Sequence, residues 1–275
     1  MSSEQKYHIG FSADDLDGVE VALLSGDPER AAKIAGAAAD DPKQNKYLQL
    51  EKTLSTVRGL NSYIGRFPDG KRVLSATSGM GAPSLSIIVN ELAQIGIRQI
   101  IRVGTCGSIQ DDVHAGSIVI TRAALCKQGA ANDIAPVEYP AAANPFLTVA
   151  LVNAARKLDV DWHIGLTASV DTFYEGQGRS STSFNKHLMP ELENVEERYR
   201  NLGILNFEME SGTLFKMANV YGLAAGCVCA VIAERVQSET INDKQKKIAE
   251  ENAIRVALQT VQDMDGTLLE PKYWR

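Results

Sequence analysis

The stretch Gln99–Ser108, QIIRVGTCGS, sets an arginine inside an apolar run and follows it with Gly-Thr-Cys-Gly-Ser. Ile100, Ile101 and Val103 read as a strand, and residues 104–108 as a tight turn closing it. A buried guanidinium is costly unless an anion meets it. A turn of glycines and hydroxyl residues offers N–H and O–H groups to the same anion. On this stretch alone a solvent-facing arginine before an ordinary glycine turn stays equally open. A second unit has the same construction. Residues 19–25 (VEVALLS) read as a strand, Gly26-Asp27-Pro28-Glu29-Arg30 follows, and an alanine-rich helix runs to Ala39. Asp27 can cap that helix and Pro28 suits its first turn. A helix N-terminus after a glycine is an anion site to which Arg30 can point back, unless it is only a strand–helix joint. Finding two such units weighs toward anion binding.

Other chemistry-bearing clusters follow the later strands: Thr172-Phe173-Tyr174-Glu175-Gly176-Gln177-Gly178-Arg179, and Asn206-Phe207-Glu208-Met209-Glu210-Ser211. Alone, Gln177 and Arg179 could lie on a solvated loop, and Glu208 and Glu210 could simply complement a helix dipole. No phosphate loop of the GxxxxGK[ST] type is present, so a nucleoside triphosphate site has no support.

Elements that could position these groups alternate along the chain. Residues 61–67 and 72–77 flank Pro68-Asp69-Gly70 and read as a β-hairpin. Residues 84–95 carry Leu85, Ile88, Val89, Leu92 and Ile95 at helical spacing, and Gly96 ends the helix. Strands are expected at 117–124, 161–169, 204–207 and 223–233, and helices at 145–158, 191–200, 211–220 and 241–263. Residues 40–57 are polar and carry no clear period, and 125–144 read as a long loop. The pattern predicts one α/β domain spanning 1–275, with residues 1–5 and 266–275 as peripheral tails; Tyr273 and Trp274 in the second could pack on a neighbour.

Composition bounds the function. The 275 residues are 44% hydrophobic and carry a net charge of -6, which argues against a general nucleic-acid or acidic-membrane binder. The four cysteines, Cys106, Cys126, Cys227 and Cys229, show no zinc-type spacing, and Cys227 and Cys229 share one side of an apolar strand as buried thiols. The N-terminus lacks an apolar signal segment and no stretch has the length of a membrane span, so a reducing cytoplasm is expected.

Taken in order, Gly26-Asp27-Pro28-x-Arg30, Ile101-Arg102-Val103-Gly104-Thr105-Cys106-Gly107, Thr172-Phe173-Tyr174-x-Gly176-Gln177-x-Arg179 and Asn206-Phe207-Glu208-Met209-Glu210-Ser211 resemble the nucleoside phosphorylase family, closest to its uridine-cleaving members. The resemblance covers residues 6–262. It implies a three-layer α/β fold with a central mixed sheet partly curled into a barrel. It also implies a homo-oligomer of dimers that share active sites, arranged as a hexamer, with His8 and Arg58 reaching the neighbouring subunit's site.

The implied activity is pentosyl transfer: reversible phosphorolysis of uridine by inorganic phosphate to uracil and ribose 1-phosphate. Gly26, Arg30, Arg58, Arg102 and Thr105 would hold phosphate, the guanidinium fork matching its oxygens. His8, Glu208, Met209 and Glu210 would hold ribose. Gly107, Phe173, Gln177, Arg179 and Ile232 would hold the base. Gln177 can pair with the uracil imide, and Arg179 can stabilise the base as it departs as an anion, so these two carry the catalytic assignment.

Purine-specific relatives use a Ser-Asp pair after the late strand. Here Glu234-Arg235 stands there, with Glu234 expected to pair with Arg235. The alternatives are a purine nucleoside phosphorylase or nucleosidase of the same fold, or an inactive nucleoside-binding protein. No cofactor is expected, phosphate being a co-substrate. Some uridine-cleaving members of the family hold a potassium ion between subunits with a glutamate directly after the arginine that Arg58 resembles; Gly59 stands there, so the resemblance implies no metal.

Overall fold

The computed structural model describes residues 4–37, 47–236 and 242–264. The expected packing of Tyr273 and Trp274 and the 266–275 tail lie outside the described residues. The alanine-rich helix, expected to run to Ala39, ends at Ala35, where Gly36 takes the left-handed conformation and caps it.

Among the described residues, nine strands form one sheet. They are β1 (Val21–Ser25), β2 (Gln49–Ser55), β3 (Ser62–Arg66), β4 (Arg72–Thr77), β5 (Gln99–Ser108), β6 (Ile118–Lys127), β7 (Trp162–Val170), β8 (Ile204–Glu208) and β9 (Ala224–Glu234). Their order is β2-β3-β4-β1-β5-β8-β7-β6-β9, and β5 also pairs with β9. That last pairing closes β5, β8, β7, β6 and β9 into a five-stranded barrel, while β1 to β4 extend from it as an open sheet. Strand pairing is mixed: β5 runs parallel to β1 and β9 and antiparallel to β8.

Among the described residues, eight α-helices accompany the sheet: α1 (Ala13–Leu16), α2 (Pro28–Ala35), α3 (Ala82–Gln94), α4 (Gly129–Asn132), α5 (Pro145–Lys157), α6 (Val195–Asn201), α7 (Ser211–Tyr221) and α8 (Asp243–Asp263). One core layer joins α3 and α7 to the sheet through Leu85, Ile88, Leu92, Leu214, Phe215 and Met217. The other joins α2, α5 and α8 through Ile34, Leu147, Leu151, Ile254 and Val261. Each such side chain, fully removed from water, stabilises the fold by about 1.5–3 kcal/mol relative to exposure.

Several sequence expectations change here. Residues 104–108 are not a turn: β5 is ladder-paired to β9 from Gln99↔Ala224 to Ser108↔Glu234, with one irregularity after Cys106. Its other edge pairs with β1 through Arg102 and with β8 from Gly107. Between those points the sheet opens, and this is the kind of crevice where α/β proteins place ligands. The polar stretch before Arg58 contains β2, whose mostly exposed residues gave no apolar alternation. The expected 125–144 loop is shortened by β6, which runs to Lys127, and by α4. Of the helix expected over 191–200, only Val195–Asn201 forms an α-helix, after a 3-10 turn at Pro190–Leu192. Residues 7–9 form a turn, and Ile9 and Phe11 are buried in the core.

Candidate active site

A cavity of about 530 Å³ lies where the sheet opens. Gly26 and Asp27 reach it from the β1–α2 junction and Arg30 from the first turn of α2. Arg102, Thr105, Cys106 and Gly107 line it from β5, and Ile232 and Ala233 from β9. Phe173, Gln177 and Arg179 enter from the loop after β7. Phe207, Glu208, Met209 and Glu210 enter from the β8–α7 junction. Five segments far apart in sequence therefore converge on one space, and the walls are more apolar toward Phe173, Phe207 and Ile232.

Arg102 anchors the inner end. It is 4% exposed and its Nε donates to Glu208 at 3.1 Å, while Nη2 pairs closely with Glu210. Burial alone pushes the guanidinium pKa down; the carboxylates of Glu210 and Glu208 more than reverse this and hold it well above its ordinary value. Its Nη1 is buried without a hydrogen-bond partner among the described residues. A buried cationic donor in that state gains from an incoming anion.

Arg102 also explains Gly104. A Cβ there would stand 2.8 Å from Arg102 Cζ and 3.0 Å from Cys229 Sγ. The glycine makes room for the guanidinium rather than for a turn. Arg30 lies in the same cavity, with Nη2 3.0 Å from Glu250 Oε1 on α8. Asp27 caps α2 by accepting from Glu29 N at 2.9 Å, so the helix N-terminus beside Gly26 is well formed.

The two acids after β8 do different things. Glu208 accepts from Ser169 Oγ at 2.5 Å, Ser211 Oγ at 2.7 Å, and the backbone N–H groups of Glu210 and Ser211 at 2.9 Å each, besides Arg102. It caps α7 and fixes Arg102, and its oxygens are already well supplied with donors. Glu210 accepts from Gly81 N at 2.6 Å at the start of α3 and pairs with Arg102. Burial raises its pKa, and Arg102 opposes that rise. Met209 is tethered through its carbonyl, which accepts from Gln128 Nε2 at 2.5 Å.

At the outer end Arg179 lies over the Phe173 ring, 4.1 Å from its centroid. Its Nε and Nη2 each donate to Gln177 Oε1 at 3.3 Å. Gln177 is 3% exposed and is also held by Arg235, whose Nη2 donates to the Gln177 carbonyl at 2.7 Å. The expected Glu234–Arg235 pair does not form. Glu234 accepts from Ala115 N at 2.8 Å and faces His114 at 3.5 Å, and Arg235 instead meets Glu196 at 3.0 Å. Neighbouring residues at a strand end project to opposite sides, which separates the two.

Sequence reasoning missed Arg235, and missed Met80, an 83% exposed methionine that borders the cavity from the β4–α3 turn. A methionine between two glycines, Gly79 and Gly81, was the available signal for an exposed lip.

His8 and Arg58 are not brought into this cavity by their own chain. His8 Nδ1 lies 2.6 Å from Glu91 Oε1, and Glu91 also accepts from the N–H groups of His8 and Ile9. Arg58 sits 5.1 Å over the Tyr7 ring and donates to its hydroxyl at 3.1 Å. The two form a separate cluster around the 73% exposed Tyr7. A second cavity, about 630 Å³, lies between Gly178–Leu188 and α6. Its lining mixes acids and bases, and Arg200 there is already engaged by Glu196 and by the Ile109 carbonyl.

Comparison with known proteins accords with this geometry. A family model described as the phosphorylase superfamily matches residues 20–262. The chain is 39% identical over 259 residues to a uridine phosphorylase of Salmonella typhimurium, covering 94% of this chain and 98% of that protein. It is 37% identical to a uridine phosphorylase of Thermococcus kodakarensis, over 91% of this chain and 86% of that one. It is 30% identical to a guanosine phosphorylase of Halorubrum lacusprofundi, over 90% and 95%. The arginines and carboxylates described above thus sit within a match that spans nearly the whole chain, which belongs to the phosphorylase superfamily.

Proposed function

We propose that the protein is a pentosyltransferase that cleaves uridine reversibly with inorganic phosphate, giving uracil and ribose 1-phosphate. One observation carries the reading: a single cavity joins an anion end at Arg102, Arg30 and Gly26, a carboxylate at Glu210, and an amide–guanidinium pair at Gln177 and Arg179. Phosphate at the first lies under the anomeric carbon, Glu210 accepts from the ribose hydroxyls, and Gln177 reads the imide of the base. Arg179 stabilises the negative charge that grows on the base as the glycosidic bond breaks, so its contribution is larger in the transition state than in the ground state. Thr105, Gly107 and Ile232 line the space between these parts.

The Tyr7–His8–Arg58 cluster supports completion of the site by a second copy of the chain. In that arrangement Arg58 adds a third phosphate contact and His8 meets the ribose, within a homo-oligomer up to a hexamer. All four cysteines are free thiols, which supports a reducing compartment, and among the described residues no helix is long and apolar enough to cross a membrane.

The test is release of free base from uridine, inosine and thymidine, each with and without phosphate. Phosphate-dependent release of uracil is expected. Hypoxanthine without uracil would support the purine reading that the guanosine phosphorylase relative represents, and base release without phosphate would support a nucleosidase.

A further inference from the structure

We infer that Glu196 on α6 is a positioning residue for base recognition: by pairing Arg235 it fixes the amide of Gln177 in one orientation. The inference rests on the assignment of Gln177 to the base. Arg235 is the link. Its side chain is 5% exposed, its cation lies 5.0 Å over the Phe207 ring, and its Cδ is so close to Gly107 that a Cβ there would stand 3.0 Å away. A guanidinium packed in this way needs a facing carboxylate, and Glu196 Oε2 supplies one at 3.0 Å from Nη2.

Held there, Arg235 donates to both oxygens of Gln177: Nη2 to the backbone carbonyl at 2.7 Å and Nη1 to Oε1 at 3.5 Å. Arg179 donates to the same Oε1 through Nε and Nη2. Oε1 therefore lies among donors from two guanidinium groups. Turning the amide over would set its NH2 group against those donors, so the NH2 group is kept on the other side of the amide. Glu196 is itself fixed: Arg200 Nη2 donates to its Oε1 at 3.1 Å, and Arg200 Nε donates to the Ile109 carbonyl, just past β5, at 2.9 Å. The ordering runs from Ile109 through Arg200, Glu196 and Arg235 to Gln177. None of the first three needs to touch substrate for it to work.

This chain has a chemical consequence. Uracil presents an N–H at N3 between two carbonyls, whereas cytosine presents a bare N3 beside an amino group. An amide fixed in one orientation discriminates between them; an amide able to turn does not, because its two ends exchange donor for acceptor.

The test is Glu196→Gln, which keeps the shape and removes the charge, with Glu196→Asp as the conservative variant. In steady-state assays Glu196→Gln should raise the KM for uridine about tenfold, the size expected for loosening a charged hydrogen bond, and leave the KM for phosphate about unchanged. The gap between the uridine KM and the inhibition constant of cytidine should narrow, and Glu196→Asp should recover part of both effects. An unchanged uridine KM, or equal rises for both substrates, would overturn the inference. Wild-type uracil release, measured first, tests the functional reading separately. Crystal structures of the wild type and Glu196→Gln test the positioning role whatever the enzyme turns over: Arg235 and Gln177 should move or lose order in the variant, and unchanged positions would refute it.

Discussion

Gly104→Ala is the sharpest probe of the anion end, because it adds one methyl group and touches no charge. The Cβ would stand 2.8 Å from both Cζ and Nη2 of Arg102, and 3.0 Å from Cys229 Sγ. Ordinary carbon contacts begin near 3.5 Å, so the guanidinium must retreat by about half an ångström or more. It has little room: Arg102 is clamped by Glu208 and Glu210 and is 5% exposed at its side chain. Overpacking of this kind costs about 1–3 kcal/mol, which in a chain of this size lowers the melting temperature by several degrees.

The same displacement moves Nη1 relative to the cavity, so the KM for phosphate should rise about tenfold, the loss of one charge-assisted hydrogen bond. The KM for uridine should change less. The assay is a pair of substrate titrations alongside thermal unfolding with and without phosphate. If Gly104→Ala lowered the melting temperature but left the phosphate KM and the phosphate-induced stabilisation at wild-type values, Arg102 would not be the anion anchor.

Other predictions follow from the remaining parts of the site and from one surface acid. Arg179→Ala should reduce kcat about 10²–10³-fold, as for loss of a group that stabilises developing charge, with little change in phosphate KM; the opposite pattern in a steady-state assay would misplace it. Burial raises the pKa of Glu210 despite Arg102. Its ionised form, the better acceptor for ribose hydroxyls, should therefore be lost above the ordinary glutamate range as pH falls, visible as an acid limb in kcat/KM for uridine. Asp15 is lowered from its ordinary 3.8 to about 2 by the Ser12 N–H, Lys52 and the Ser12 hydroxyl. A lowered acid stabilises the fold above its unfolded-state pKa and loses that contribution as pH falls through the folded value. Asp15→Asn should thus flatten melting temperature against pH between 3.8 and about 2.

What the sequence revealed depended on whether a residue's signal was local. The β1–α2 unit was legible because Asp27 and Pro28 announce a helix start, and α3 was legible from its apolar spacing. Gly104 and Gly107 misled, since glycine usually marks a turn. Both lie inside a strand: Gly104 makes room for the guanidinium of Arg102, two residues earlier on β5, and Gly107 for Arg235, which follows β9. How closely those side chains pack is set by the fold around them. Strand β2 escaped because an exposed edge strand needs no apolar alternation. Arg235 escaped for the same reason as Gly107: its partners, Glu196 and Gln177, are distant in sequence. Sequence also could not decide that Glu208 would spend its oxygens on Ser169, Ser211 and the start of α7 while Glu210 faced Gly81 and Arg102.

The central claim is that phosphate, not water, receives the pentose. It is tested most directly by phosphorus NMR of the protein with uridine and inorganic phosphate. A ribose 1-phosphate signal should grow in step with uracil, and adding the two products back should regenerate uridine. Uracil accompanied by free ribose, with the phosphate signal undiminished, would contradict it.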